Sequence, residues 1–288
     1  MKDVDIKHYR SKRAGEITKR TVIYFILVLL CVIWLVPFIY LLCQSFATEY
    51  VYSAFFPTEF TFENYLTLFI DPAYPFWRWW LNTFIIACFV AVLQTVLVLM
   101  TSYALSRLRF KSRKSLMKMI LVIGMFPGFL GMVVNYFILQ MLNLNASIFG
   151  LILIYIAGSM MNYYIAKGFF DTISKSLDEA AMIDGASRNT IFWKIILPLS
   201  KPIVVYTVLM AFTAPWGDFM MASYIAQGNT ELFNVAVGLQ QMLSLAQINK
   251  YFPVFCAGGV LVSLPIMILF FWLQKYYVEG ITGGAVKG

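Results

Sequence analysis

Charged side chains are scarce in this chain of 288 residues. Asp, Glu, Lys and Arg together make up 12% of the sequence, whereas 61% of the residues are hydrophobic. Soluble domains carry about twice that share of charge, so an ordinary water-soluble protein is excluded. Lipid is therefore the expected solvent for most of the chain.

Groups that support catalysis or metal binding are also scarce. The one histidine, His8, lies in a basic N-terminal segment, and no nucleophile has a general base beside it. The phosphate-binding pattern G-x-x-x-x-G-K-[S/T] does not occur, so the chain is not expected to hydrolyse ATP. Four cysteines lie in apolar runs without metal-ligand spacing: Cys31, Cys43, Cys88 and Cys256. We predict no enzyme activity, no metal site and no bound cofactor.

Long apolar segments dominate the sequence. The hydrocarbon layer is about 30 Å thick, so a spanning helix needs roughly 20 apolar residues. Six segments qualify: 22–43, 79–105, 119–142, 148–166, 202–226 and 252–274. All are expected to be helices, because lipid offers backbone groups no partner and barrel strands would alternate in polarity. The first is too long for a signal-peptide core and is expected to stay in the mature protein. The prediction is an all-α integral membrane protein with six transmembrane helices in one domain, 1–288.

The basic residues lie almost entirely on one side of these predicted spans. Of the 22 Lys and Arg residues, only Arg78 and Lys250 fall on the side opposite the two tails. Because cytoplasmic loops retain positive charge, both termini are predicted to be cytoplasmic. The net charge of +8 could indicate nucleic-acid binding, but its position beside the span ends favours topology and contact with anionic lipid. We predict no nucleic-acid partner.

The longest cytoplasmic segment, residues 169–201, contains a predicted pair of short helices. Ser176 opens a capping-box pattern, so the first helix is expected to begin there. Gly185 tolerates the left-handed conformation that ends a helix. Ser187 is expected to cap a second helix, which Pro198 stops. Periodicity alone is consistent with an amphipathic pair lying on the inner membrane face.

Residue spacing favours docking of another protein on this pair. The small side chains of Ala180 and Ala181 would let a partner approach the helix backbone, and Glu179 offers it a charge. One set of residues matches in full the EAA signature of binding-protein-dependent ABC importer permeases: Glu179, Ala180, Ala181, Gly185, Ile195, Leu197 and Pro198. The chain resembles that family. The resemblance implies the ABC importer type I permease fold and a coupling helix that docks on an ATPase subunit.

Two further stretches resemble sugar-transporting members of the family. Residues 57–65 with 80–83 look like their outer segment, and residues 277–288 look like the tail of the smaller six-span maltose and maltodextrin permease. The resemblance implies a bacterial cell-membrane location, a second permease, two copies of an ATPase subunit that uses ATP and Mg, and an extracellular or periplasmic solute-binding protein. The implied substrate is an oligosaccharide, maltodextrin-like first, with another oligosaccharide as the alternative.

Polar side chains inside the predicted spans are few. Asp218 is the one charged residue there, and a charge at mid-bilayer costs roughly 2.5 to 3.5 kcal/mol. Together with Trp216 it could line the translocation path, or it could lie near the outer end, solvated or bonded to a partner subunit. Five amides could contact sugar or could join helices: Asn82, Gln94, Asn135, Gln140 and Asn162. The rival class, a self-sufficient secondary transporter, usually has several ionisable groups in its spans.

The outer loop at residues 227–251 is more apolar than a free loop should be. Its apolar side chains could simply pack on the tops of the spans. In maltose-type permeases the corresponding loop resembles a probe that enters the sugar cleft of the binding protein. The resemblance implies the same role here for four residues: Thr230, Asn234, Gln240 and Gln241.

The charge asymmetry predicts which loops face outward. In a variant without the four native cysteines, a cysteine at position 229 should react with an impermeant maleimide on intact cells, and one at position 112 should not. Broken cells control for reactivity, because both sites should then be labelled. The reverse pattern on intact cells would overturn the predicted orientation.

Overall fold

The chain is almost entirely helical. The computed structural model describes residues 2–50, 54–244 and 247–285, with side chains between residues 16 and 276. Within these residues the helices are α1 (Lys2–Gln44), α2 (Glu63–Ile70), α3 (Phe76–Arg107), α4 (Arg113–Gly124), α5 (Gly128–Met141), α6 (Ile148–Ala157), α7 (Met160–Thr172), α8 (Ser176–Ile183), α9 (Arg188–Ile191), α10 (Leu197–Leu199), α11 (Lys201–Gly217), α12 (Met220–Ala226), α13 (Val235–Gln241) and α14 (Ile248–Ala285). A π-helical stretch, Phe192–Ile196, joins α9 to α10, and one antiparallel bridge links Ala47 to Phe60. The predicted all-α class is confirmed.

Three helices are long and apolar enough to cross a membrane unaided. They are Glu16–Gln44 within α1, the whole of α3, and Ile248–Tyr276 within α14. These contain the first, second and sixth predicted spans. In the part of the chain that the structure describes, the number of spans rises to six if each of three bent helix pairs crosses once. The count of six therefore stays a prediction.

Three of the predicted spans are each interrupted by a break between two helices. The helices α4 and α5 meet at 106° around Pro127, and α6 and α7 meet at 42°. Proline lacks a backbone N–H and disfavours helical geometry in the residue before it, which explains the break before α5. The segment predicted at 202–226 is divided into α11 and α12, with Asp218 in extended conformation between them.

A sharp elbow precedes α11. The helical stretch Arg188–Leu199 meets Lys201–Gly217 at 84°, with Ser200 at the corner. The Ser200 side chain is buried, and its Oγ donates a hydrogen bond to the Ile196 carbonyl at 2.6 Å. The corner is therefore held by a buried hydrogen bond within the preceding turn.

Helix α3 lies at the centre of the fold. It packs most extensively against α11 and α7, and also against α6 and α13. One apolar cluster surrounds its N-terminal half and includes Trp79, Trp216 and Val235. A second surrounds its C-terminal half and includes Tyr103 and Phe170 together with side chains of α8 and α9. The segment around the EAA signature therefore packs directly on the spans.

The N-terminal end of α3 is covered by α13 at close range. A Cβ atom at Gly238 would lie 2.0 Å from the ring of Trp79, so only glycine fits this contact. The apolar side chains of this loop are largely buried: Phe233, Val235, Val237, Leu239 and Met242. Packing on the tops of the spans is therefore what the structure shows for them.

Helix α1 is largely exposed over its described side chains. It packs along α14, yet the most apolar part of its predicted span has no buried residue in the single chain. Trp34, for example, is 72% exposed. An apolar surface of this kind needs lipid or another membrane protein as cover.

Candidate functional site

The helix α8 begins differently from the sequence prediction. Ser176 is its first residue rather than its N-cap, and the cap residue Lys175 makes no side-chain cap bond. The hydroxyl of Ser174 performs part of this function, since it accepts a hydrogen bond from the Ser176 N–H at 3.3 Å. The predicted helix is present, but the capping box is wrong because the chain enters the helix one residue earlier.

The turn after α8 agrees with the prediction for Gly185. This residue has φ of +82°, which favours glycine. The N–H of Ala186 donates to the Ala181 carbonyl at 2.9 Å, and the N–H of Gly185 donates to the Met182 carbonyl at 3.1 Å. These two bonds form a Schellman motif, which satisfies the last carbonyls of the helix.

The second helix starts as predicted and ends later than predicted. The Ser187 Oγ accepts a hydrogen bond from the Thr190 N–H at 3.1 Å and so caps the N-terminus. Pro198 does not stop the helix, which continues to Leu199. The turn before it widens to π-helical geometry over Phe192–Ile196. This widening fits a proline that cannot donate to the preceding turn.

The EAA residues lie on different faces of this pair. Glu179, Ala180, Gly185 and Pro198 are exposed, and Ile195 and Leu197 are half-buried. Ala181 is buried against the inner apolar cluster, so its small side chain faces the protein core. Ile183 is 86% exposed at the end of α8. The free face of α8 therefore combines an apolar tip with the carboxylate of Glu179.

Arg107, at the end of α3, fastens α8 to the spans. Its side chain is 3% exposed, and Nη1 lies 3.2 Å from Oδ2 of Asp178 on α8. Its Nη2 donates to the carbonyls of Phe170 at 2.9 Å and Ile173 at 2.8 Å, at the end of α7. One guanidinium therefore joins the ends of three helices.

A second polar contact joins α3 to α7 nearby. The Ser106 hydroxyl donates to Oδ1 of Asp171 at 2.6 Å, and Lys167 forms an ion pair with the same carboxylate. Sequence reasoning missed Arg107 and Asp178 as a pair, because it used the arginine only for topology. The adjacent Asp178 and Glu179 were the one available signal, and only the fold shows that Asp178 is buried against Arg107 while Glu179 is exposed.

Near the N-terminal end of α3, Asn234 has a structural role in the fold. It is fully buried, and its Nδ2 donates to the carbonyls of Pro215 at 3.0 Å and Asp218 at 2.6 Å. Its Oδ1 accepts from the Val237 N–H at 2.9 Å and caps α13. Asn82 is also buried and donates to the carbonyls of Glu231 and Phe233. These two amides hold the outer loop on the spans.

Asp218 lies at the break between α11 and α12 and has two partners. Its Oδ2 accepts from the Tyr155 hydroxyl at 2.6 Å, and its Oδ1 accepts from the Met221 N–H at 3.1 Å. Trp216 is buried beside it in sequence and meets Trp80 edge-on, with ring centroids 5.6 Å apart. Asp218 is therefore hydrogen-bonded within this chain, and sequence reasoning missed Tyr155.

The remaining predicted residues are not brought together. Gln94 is buried in α3, Asn135 and Asn162 are half-buried in α5 and α7, and Gln140 is exposed. Thr230, Gln240 and Gln241 are exposed on the outer loop, with the two glutamines at the end of α13. Among the described residues there is no group of three or more His, Cys, Asp or Glu side chains that could hold a metal ion.

Comparison with known proteins gives the fold and the family context. The model of the family described as "Binding-protein-dependent transport system inner membrane component" matches residues 98–283. The maltodextrin transport system permease protein MalD of Streptococcus pneumoniae is 41% identical over 232 residues, which cover 80% of this chain and 81% of that protein. The galactooligosaccharides transport system permease protein GanQ of Bacillus subtilis is 36% identical over 269 residues, covering 92% and 94%.

A solved structure resembles the chain over most of its length. It belongs to a bacterial ABC transporter involved in the import of the acidic polysaccharide alginate. The TM-score is 0.73 at 24% identity, and the match covers 89% of this chain and 95% of that one. This likeness supports the helical arrangement described above.

The pair of Arg107 and Asp178 generates a stability prediction. Removing one partner of a buried ion pair costs about 3 kcal/mol, so Asp178→Asn should make the amides of α8 exchange with solvent about a hundredfold faster. Hydrogen exchange followed by mass spectrometry measures this rate. Asp184→Asn, which changes an exposed carboxylate at the end of the same helix, should leave exchange unchanged. Equal exchange in wild type and Asp178→Asn would show that the pair does not fasten α8.

Proposed function

This chain belongs to the family of binding-protein-dependent transport system inner membrane components, and on that premise we propose that it is a permease subunit of an ATP-driven oligosaccharide importer. The family consists of multi-pass membrane transport components, not enzymes. The observation that carries the proposal is the geometry of α8, a short helix that Arg107 fastens to the ends of α3 and α7 and whose opposite face is exposed.

The proposed cargo is a maltodextrin-like sugar. Two things support it: the identity to a maltodextrin permease over most of the chain, and the sugar-permease character of residues 57–65 and 277–288. The similarity to a galactooligosaccharide permease extends over a larger share of the chain, although the identity is lower. Another oligosaccharide is therefore the alternative cargo for the same machinery.

The proposed coupling route starts at α8. An ATPase subunit, which uses ATP and Mg, would contact the exposed face that carries Glu179, Ala180 and the apolar tip at Ile183. Movement of α8 would then pass to α3 and α7 through Arg107. The buried ion pair with α8 and the two hydrogen bonds to α7 hold these helix ends at fixed distances from one another. The predicted EAA residues Gly185, Ile195, Leu197 and Pro198 would shape the turn and the following helix.

The proposed assembly contains a second permease, two ATPase subunits and an external solute-binding protein. The exposed apolar surface of α1 supports a membrane partner or lipid on that side of the chain. The charge asymmetry supports cytoplasmic termini in a bacterial cell membrane, with α8 on the inner side and α13 on the outer side.

The proposed translocation path runs along the break in the fifth span. An unwound segment inside the membrane is tolerated where protein satisfies its backbone, and such segments often line a path. Asp218 with Tyr155 and the aromatic ring of Trp216 lie at this break. Gln94, Asn135 and Asn162 remain further candidates, whereas Asn82 is committed to holding the outer loop.

The proposed contact with the binding protein uses the exposed end of α13. Gln240 and Gln241 are exposed there and could exchange hydrogen bonds with sugar hydroxyls, as could Thr230. Asn234 is buried and bonded internally, so its contribution would be to hold the loop in shape.

Coupling is tested by reversing the charge at the signature position. Glu179→Lys should lower sugar-stimulated ATP hydrolysis of the reconstituted transporter by about tenfold or more, while the amount of chain in the membrane stays normal, because Glu179 is exposed. Gly185→Val should act similarly, since a β-branched residue at positive φ costs about 1 to 3 kcal/mol. The matched control is Asp184→Lys, which reverses an exposed carboxylate outside the signature. Normal stimulation in both test variants would sink the coupling assignment.

The outer contact is tested by truncating the two exposed glutamines. A Gln240→Ala and Gln241→Ala double variant should reduce uptake at limiting sugar about tenfold, with assembly and ATPase contacts intact. Asn249→Ala, an exposed amide elsewhere in the loop, should leave uptake unchanged. Asn234→Ala should instead lower thermal stability, because the carbonyls of Pro215 and Asp218 lose a buried donor. Wild-type uptake by the double variant would leave these glutamines without a role in sugar transfer.

A further inference from the structure

A basic cavity lies beside α8, between that helix and the linker after α3. Its volume is about 580 Å³. Five cationic side chains line it: Arg107, Arg109, Arg113, Lys175 and Arg188. Two carboxylates, those of Asp178 and Glu179, also line it. The cavity therefore has a clear excess of positive charge, which favours an anionic occupant.

Buried polar atoms of two residues that line this cavity, Arg107 and Asp178, lack partners. The Nε of Arg107 has no hydrogen-bond partner among the described residues, although its side chain is only 3% exposed. The Nη1 atom makes the ion pair with Asp178 but no aligned hydrogen bond. The Oδ1 atom of Asp178 is buried and also lacks a hydrogen bond in the described part of the chain. Unsatisfied buried groups of this kind cost about 1 to 3 kcal/mol each, more when charged.

The unpaired atoms specify the chemistry of a ligand. The guanidinium offers N–H donors and calls for an anionic acceptor such as a phosphate oxygen. Beside it the free oxygen of Asp178 accepts hydrogen bonds, which a phosphate diester alone does not donate. A group that carries a phosphate and a hydroxyl close together satisfies both. We propose that this cavity binds a phosphate diester whose alcohol carries free hydroxyls, namely the headgroup of an anionic phospholipid of the phosphatidylglycerol type.

The position of the cavity favours a lipid over a soluble anion. Arg107 ends a helix long enough to cross the membrane, so the cavity opens where headgroups lie. Apolar side chains line the same cavity, among them Phe110 and Met182, which are both 41% exposed. Such side chains suit the glycerol backbone and first methylenes of a lipid. The inference needs only the membrane location of the chain and is independent of the transported sugar.

Lipid retention by the purified transporter complex tests the site. Native mass spectrometry of the complex, exchanged into nanodiscs of phosphatidylcholine with added palmitoyl-oleoyl phosphatidylglycerol, should show retained phosphatidylglycerol. The double variant Arg109→Gln and Arg113→Gln should weaken retention by about tenfold, because each basic group near a membrane surface contributes a factor of about five before screening. Lys175→Gln, on the opposite wall, should weaken it independently.

A matched control separates the cavity from general surface charge. Lys111→Gln with Lys114→Gln removes the same number of charges from the same linker region, but neither side chain lines the cavity. This control should retain the lipid as the wild type does. Equal loss in both double variants would mean that only bulk charge attracts lipid, and the site would be wrong.

Two further outcomes would also overturn the inference. Inorganic phosphate that binds in pure phosphatidylcholine nanodiscs as tightly as the lipid would make free phosphate the ligand. Retention that disappears when the ATPase subunits are assembled, and returns when they are removed, would assign the cavity to an acidic surface of that partner.

Discussion

The buried guanidinium of Arg107 is the constraint on which the half of the fold around α8 depends. An arginine keeps its charge inside a protein, so its surroundings must supply acceptors. Here the acceptors are a carboxylate on α8 and two carbonyls at the end of α7. Those carbonyls belong to a helix terminus, where intrahelical donors run out. The guanidinium therefore supplies donors to the carbonyls at the end of α7, and those carbonyls and the carboxylate of Asp178 supply it with acceptors. The ends of α3, α7 and α8 are held together as a result.

The other half of the fold, around the N-terminal end of α3, solves a related problem with neutral amides. The break between α11 and α12 leaves backbone carbonyls without helical donors, and Asn234 donates to two of them. Thr83 of α3 accepts a hydrogen bond from the Val235 N–H, and Asn82 donates to the loop carbonyls. Both ends of α3 thus carry side chains that fasten another element.

Local rules predicted the parts of this structure that depend on nearby residues. The left-handed turn at Gly185 and the cap at Ser187 were predicted correctly, because each depends on atoms within a few positions. The break at Asp218 was missed, since its stability comes from an asparagine in a different loop. The pairing of Arg107 with Asp178 was missed for the same reason, and the buried position of Asn234 could not be distinguished from an exposed one by composition. Roles that depend on other subunits lie outside what a single chain encodes locally.

The elbow at Ser200 makes the two helical stretches that it joins a bent lever. One arm, Arg188–Leu199, is about 18 Å long, and the other, α11, is about 25 Å, at roughly 1.5 Å per residue. If the corner keeps its 84° angle, the two arms rotate together about Ser200. A displacement at the free end of the short arm then moves the far end of α11 in a nearly perpendicular direction. The second displacement is larger by the ratio of the arm lengths, about 1.4. That far end adjoins Asp218 and the break. A sideways displacement of the short arm is thereby turned into a larger tilt at the far end of α11.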